Sequence, residues 1–283
     1  MGCDNTVRGR RAKSPKSIPH SKDFSLITDP LFYALALPAI LIAGISKGGF
    51  GGGLVVMAVP LMALVVSPQQ AAAVMLPILM LMDVAAVWAY RRTWAKNLLV
   101  FLLPAAVLGV AAGWASFGLL DANLVRLLLG IIAVTFTLDY WFRSSVRTGP
   151  VKIPDRLWGG MWAMVSGFTS FVAHAGGPPL NVYMLPKGLE KRLFVGTMAM
   201  FFAGANLLKL VPYAMLGQFH TANLMTSLVL APLAPAGVWL GLWMQSRVSD
   251  RAFYKVCYTL LFLTGLKLGY DGAVGVFNLF NGA

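Results

Sequence analysis

The sequence predicts an all-α integral membrane protein built from two repeats of inverted topology. Hydrophobic residues make up 58% of the 283 positions and charged residues 12%, whereas a soluble domain carries about a quarter charged residues. Apolar runs of about 20 residues, enough to cross a bilayer, recur along the chain. The two halves of the sequence also resemble each other. We expect each repeat to contain a glycine-rich broken helix with a short half-helix, followed by three spanning helices.

The chain begins with a polar, basic N-terminal tail over residues 1–29. This tail lacks the apolar core of a signal peptide. The opening "MGCDNT" fits the short myristoylation pattern, with Gly2 as acceptor. A disordered basic tail is the simpler interpretation.

Ten apolar segments follow the tail, five in each half. In the first repeat, residues 30–143, the segments are 31–46, 54–66, 68–90, 97–118 and 122–142. In the second repeat, residues 157–271, the segments are 157–173, 178–186, 190–214, 221–245 and 252–270. A charged linker over 144–156 joins the repeats, and 272–283 form the C-terminal end.

The internal repeat depends on three local matches. "GISKGGFGGG" in the first half matches "GFTSFVAHAGGPP" in the second, and "LLPAAVLGVAAG" matches "LAPLAPAGVWLG". Asp83 and Tyr90 match Asn206 and Tyr213 at the same spacing. A weak internal repeat of this kind is typical of duplicated transporter folds.

Loop charges predict that the repeats have opposite orientations. In the first half "RRTWAK" is basic and "SPQQ" is uncharged, whereas in the second "PKGLEKR" is basic and "GQFHTAN" contains no Lys or Arg. The positive-inside rule places the basic loops, the linker and "SRVSDR" in the cytoplasm. The number of segments then places the basic tail outside, against the same rule.

Two glycine-rich breaks indicate an anion site. Each precedes a segment too short to span the membrane, so its exposed backbone must face protein or water. Glycine lets amides approach a ligand closely, helix N-termini favour anions, and Lys47 adds a positive charge. Close helix packing through small residues is the alternative explanation of the glycines. The residues expected to bind the anion are Ser46, Lys47, Gly48, Gly49, Gly51, Gly52, Thr169, Ser170, Gly176, Gly177 and Asn206.

Ionisable residues inside apolar segments are functional candidates because charge is costly in hydrocarbon. Asp83 is interpreted as a proton carrier or as a structural partner of Lys47. His174 suits proton coupling, or a structural bond to a freed carbonyl. Lys209 lies near the end of its segment, where snorkelling to the membrane interface is the simpler interpretation. Lys267 and Asp139 lie nearer their segment ends still.

Several other functions are disfavoured by the residue pattern. Lys47 precedes its glycine run, whereas the lysine of a phosphate-binding loop follows it. Ser170 and His174 share a helix face, but no nucleophile motif surrounds the serine, so we expect no enzyme activity. Cys3 and Cys257 are too isolated to indicate a metal site. The net charge of +13 lies in short loops, which disfavours nucleic acid as a partner.

The two glycine-rich motifs and the duplicated layout resemble the TauE/SafE sulfite exporter family, from about residue 31 to 270. The resemblance implies a multi-pass secondary transporter of the cell inner membrane that exports sulfite or organosulfonates such as sulfoacetate, without a cofactor. Proton coupling is expected, with a small anion and the lipid bilayer as partners. A transporter or channel of the same fold for another small anion is the alternative. The sequence does not indicate an oligomeric state.

Overall fold

A computed structural model describes residues 26–119, 121–142, 154–245, 247 and 250–281. The predicted N-terminal tail and linker therefore lie largely outside the described residues. The part of the chain that is described is helical and contains no strand. Its helices are α1 (Pro30–Gly49), α2 (Ala58–Met62), α3 (Pro68–Tyr90), α4 (Lys96–Ser116), α5 (Ala122–Phe142), α6 (Asp155–Ala173), α7 (Gly177–Met184), α8 (Lys191–Met215), α9 (Thr221–Leu230), α10 (Leu233–Met244) and α11 (Asp250–Asn281).

Among the described residues, six segments are long and apolar enough to cross a membrane, which confirms the prediction of a multi-pass membrane protein. They are α1, α3, α4, α5, α8 and the pair α9–α10, and α2 with the 3₁₀ turn Gly53–Met57 before it forms a shorter apolar helix. Large apolar side chains face outward along these helices, and Trp88 and Val100 expose 70% and 75% of their surface. Such a surface suits hydrocarbon as its solvent.

Three predicted apolar segments differ in detail from the helices that they form. Helix α1 continues through Gly49, so the first break is confined to three residues, Phe50 to Gly52. The segment predicted over 221–245 is two helices, because Pro232 cannot donate a backbone hydrogen bond and α10 begins after it. Helix α11 continues to Asn281, so the stretch 272–281 extends the last helix.

The long helices pack in pairs, with glycine at the points of close contact. Helix α1 lies along α10, α4 along α6, α3 against α8, and α5 along α11. A Cβ atom at Gly48 would lie 2.2 Å from the carbonyl oxygen of Val238, and one at Gly167 would lie 2.3 Å from that of Ala106. The absence of a side chain therefore permits these close approaches.

The predicted cytoplasmic loops meet at one end of the helix assembly. The amide of Ala95, in "RRTWAK", donates to the Thr197 hydroxyl at 2.9 Å, near the start of α8. The Lys191 ammonium, in "PKGLEKR", lies 3.5 Å from the carbonyl oxygen of Gln245. Loops from both halves of the chain are thus neighbours in space.

Candidate functional site

The first break is a left-handed turn whose amides are bonded within the turn itself. Gly51 and Gly52 have φ of 76° and 72°, which favours residues without a Cβ atom. The Ser46 carbonyl accepts from the amides of Phe50 and Gly52, both at 2.9 Å. The Ser46 hydroxyl accepts from the amide of Leu54 at 3.1 Å. Ser46 therefore accepts hydrogen bonds from three amides at the break.

The second break begins at His174, the one described non-glycine residue with a positive φ, at 53°. Its amide donates to the Ser170 carbonyl at 3.0 Å, and the next amide donates to that of Thr169 at 3.2 Å. These bonds close the C-terminal end of α6. The Ser166 hydroxyl donates to the Gly176 carbonyl at 2.7 Å, directly before α7 starts.

The two breaks contact each other in the middle of the molecule. A Cβ atom at Gly177 would lie 3.0 Å from the Cα atom of Gly53 and 3.2 Å from the carbonyl oxygen of Gly52. A small cavity lies at this junction. Its walls are formed by Lys47, Gly52, Val55, Leu79, Ser170, His174, Gly177, Phe202 and Asn206.

One wall of the cavity carries a buried ion pair. Lys47 and Asp83 each expose 3% of their surface, and the Lys47 ammonium donates to the Asp83 carboxylate. Lys47 also lies 3.4 Å from the Leu79 carbonyl oxygen. The Asn206 amide donates to the other Asp83 oxygen at 2.6 Å. This chain of bonds joins α1, α3 and α8, so Asp83 does form the partnership with Lys47 that the sequence left open.

A second buried lysine, Lys209, contacts two of the residues that line the cavity, Ser170 and His174. Lys209 is fully buried, so its predicted snorkelling to the interface was wrong. Its ammonium lies 3.0 Å from the Ser170 carbonyl oxygen, 3.1 Å from the Ser170 hydroxyl and 2.8 Å from His174 Nδ1. His174 Nε2 lies 2.9 Å from the Ala72 carbonyl oxygen. The second cation is therefore held at the C-terminal end of α6, where a helix favours positive charge.

Two tyrosines fix the helix ends beside the breaks. The Tyr90 hydroxyl donates to the Gly48 carbonyl at 2.6 Å, and the Tyr213 hydroxyl donates to the Phe171 carbonyl at 2.7 Å. Each bond joins residues 42 positions apart in the sequence. The residues that match between the halves therefore make equivalent bonds.

The structure brings six of the predicted binding or coupling residues to the cavity wall, namely Lys47, Gly52, Ser170, His174, Gly177 and Asn206. Asp83 is bonded to Lys47 but is not one of the residues that line the cavity. The others are occupied elsewhere, because Gly48 and Gly49 pack on α10, Gly51 packs on the Phe194 ring, Gly176 packs on Ser166 and Thr169 bonds within its own helix. Sequence reasoning missed Lys209 as a site residue. Its signal was its position one helical turn after Asn206, on the same helix face.

Comparison with known proteins identifies a family whose model matches this sequence. A family model described as "Sulfite exporter TauE/SafE" matches residues 36–268, most of the chain. No curated protein and no solved structure matches the chain.

Proposed function

The chain belongs to the TauE/SafE sulfite exporter family, and from this premise we propose that it exports small sulfur oxyanions, such as sulfite or sulfoacetate, across the cell inner membrane. Family membership indicates a transporter of the sulfite-exporter type. What we propose beyond family membership is the identity of the transported anion, of the membrane and of the coupling ion.

The observation that carries the proposal is the meeting of the two breaks around one polar cavity. Lys47, Ser170, His174 and Asn206 converge there from α1, α6 and α8. A desolvated oxyanion needs donors that replace its lost hydration, and Lys47, Ser170 and Asn206 carry N–H or O–H groups of that kind. Burying polar groups is costly in an apolar packing junction, whereas here four of them line one cavity, with their partners in the protein around it.

Asp83 is the proposed coupling residue because it competes with the cargo for Lys47. While Asp83 is ionised, the Lys47 ammonium is held by its carboxylate. A proton on Asp83 removes that charge and releases Lys47 to the anion. Proton and anion therefore bind more favourably together than separately, which is the requirement for coupled movement. His174 is the alternative proton carrier.

The pairing of the helices supports two repeats, predicted at 30–143 and 157–271, of which the second extends to include the whole of α11 to Asn281. The basic loops that meet at one end support their inversion. The contact of α1 with α10 corresponds to that of α6 with α4. Helices at matching positions also pack on each other, α3 on α8 and α5 on α11. This pattern is unchanged when the halves are exchanged, as an approximate two-fold axis requires. Movement of one repeat against the other would then expose the cavity to alternate sides.

Uptake of labelled sulfite and sulfoacetate into proteoliposomes under an imposed pH gradient tests the function. We expect wild type to transport at least one of them, with saturable counterflow that distinguishes a carrier from a channel. Lys47→Ala should reduce transport, while Asp83→Asn should retain exchange and lose the response to the gradient. His174→Ala tests the alternative proton carrier. Normal transport by Lys47→Ala, or a normal gradient response in Asp83→Asn, would remove the role given to that residue.

A further inference from the structure

The buried charges around the cavity do not cancel. Among the described residues, the buried lysines are Lys47 and Lys209, and the buried carboxylate is that of Asp83. Lys47 and Asp83 form an ion pair whose net charge is zero. Lys209 contacts a carbonyl, a hydroxyl and an imidazole, none of which is negatively charged. One positive charge is therefore left over.

The contacts of Lys209 and His174 are compatible with a proton on Lys209, and an amine is a stronger base than an imidazole, so we assign the proton to Lys209. The Ala72 carbonyl beside His174 Nε2 can only accept, so the ring proton is assigned to Nε2 and Nδ1 is an acceptor. Lys209 then faces three acceptors, which are the Ser170 carbonyl, the Ser170 hydroxyl and His174 Nδ1. An ammonium has three N–H donors. The arrangement fits a charged Lys209 and a neutral His174, and a second proton on Nδ1 would point at the ammonium.

The charge of Lys209 reaches the cavity through its neighbours. Ser170 and His174 both line the cavity, and both accept hydrogen bonds from Lys209. Because the Ser170 hydroxyl accepts from the ammonium, its own proton is available for donation into the cavity. A buried charge without a counter-ion is costly in a membrane, so an anion in the cavity would stabilise this arrangement.

We propose that Lys209, acting through Ser170 and His174, supplies the net positive charge of the anion site, while Lys47 and Asp83 form a neutral pair. This inference rests on the proposed function of anion transport. With Asp83 ionised, the site has a net charge of +1 and is neutralised by an anion of charge −1. With Asp83 protonated, the net charge is +2 and an anion of charge −2 neutralises it. The cargo class is accordingly a monovalent anion, or a divalent anion that enters with one proton.

Charge rescue tests the proposal with labelled sulfite as the probe. Counterflow is measured without a pH gradient in proteoliposomes of wild type, Lys209→Met, the double variant Asp83→Asn/Lys209→Met, and the control Lys267→Met. Lys267 is exposed and paired with Asp271 in α11. We expect Lys209→Met to raise the half-saturating sulfite concentration about ten- to hundredfold, the effect of losing a charge-assisted contact. The control should match wild type.

The double variant separates charge from structure. Removing one positive and one negative charge restores the net charge of wild type, so we expect it to recover most of the sulfite affinity that Lys209→Met loses. If Lys209 only closed the end of α6, Asp83→Asn would not compensate for its loss. A Lys209→Met protein with wild-type affinity, or a double variant no better than Lys209→Met, overturns the proposal and leaves the proposed function intact.

A further variant decides the matter if Lys209→Met does not fold. Asp83→Asn alone leaves two positive charges at the site, so it should lower the half-saturating sulfite concentration. An unchanged or raised value overturns the proposal. If neither wild type nor Lys267→Met exchanges sulfite or sulfoacetate, the proposed function fails, and this inference fails with it.

Discussion

At the scale of single residues, the cavity is defined by which polar groups find partners inside the protein. Asp83 takes bonds from Lys47 and from Asn206 at 2.6 Å, so one carboxylate holds three helices together. The matching positions are chemically unequal: Asp83 corresponds to Asn206, and the residue one turn later is Ala86 in the first half but Lys209 in the second. Two similar halves thereby form one asymmetric site.

Removing Lys47 should destabilise the protein by leaving Asp83 buried without its cation. We expect Lys47→Met to cost about 3–5 kcal/mol, the usual penalty for breaking a buried pair on one side. The double variant Lys47→Met/Asp83→Asn removes both charges and should recover much of that loss. The stability of each protein is measured as its unfolding midpoint in detergent micelles. A double variant less stable than Lys47→Met would show that the pair is not the source of the effect.

At the scale of the helices, glycine decides how closely the two halves approach each other. Helix α6 meets α4 at Gly167, where a Cβ atom would lie 2.3 Å from the Ala106 carbonyl oxygen. The corresponding position in α1 is Gly44, where a Cβ atom would lie 2.8 Å from the Cα atom of Gly237 in α10. Since lipid tails are as apolar as leucine, such close packing replaces the hydrophobic effect as the force between helices. Close helix packing, one of the two explanations considered for the glycines of the first motif, applies to Gly48 and Gly49, while Gly51 and Gly52 form the turn.

A matched pair of alanine substitutions on α6 tests this packing. Gly167→Ala should separate α6 from α4 and lower stability by about 1–3 kcal/mol, as overpacking does. Gly160→Ala is the control, because its Cβ atom would meet only the Ala105 side chain at 3.8 Å. Alanine also favours a helix over glycine by about 0.5–1 kcal/mol, so the control should be neutral or stabilising. Equal thermal midpoints for the two variants would contradict the role of Gly167.

At the scale of the whole molecule, the paired helices and clustered loops imply one orientation in the membrane. The loops "RRTWAK" and "PKGLEKR" lie at the same end, where Ala95 bonds to Thr197 and Lys191 approaches Gln245. The positive-inside rule assigns that end to the cytoplasm. The loop "GQFHTAN" follows α8, which is long enough to cross the membrane, and so belongs at the other end.

Labelling of single cysteines tests this orientation. In a chain with Cys3 and Cys257 changed to serine, Arg92→Cys and Arg192→Cys should react with an impermeant maleimide only from the cytoplasmic side. His220→Cys should react only from the opposite side. All three positions are exposed, so burial does not limit their reaction. Labelling of all three from one side would contradict the inverted topology.

The sequence by itself determined the class of the protein, the family, both breaks and the residues that match between the halves. Composition and segment length report whether a stretch prefers lipid or water, and glycine and proline report where a helix must end. Asp83, His174 and Asn206 were identifiable because charged and polar groups are rare in hydrocarbon.

Only the tertiary structure decided which of those groups face the cavity and which bond to one another. Lys209 lies close enough to a helix end for its long side chain to reach water, and only the packing of α6 against α8 encloses it. The sequence predicts Gly48 and Gly49 as ligand-binding glycines, whereas in the structure they pack against α10. The reason is physical. Side-chain polarity in the sequence indicates which helices avoid water, but whether a given face contacts lipid, another helix or the cavity depends on how the helices pack.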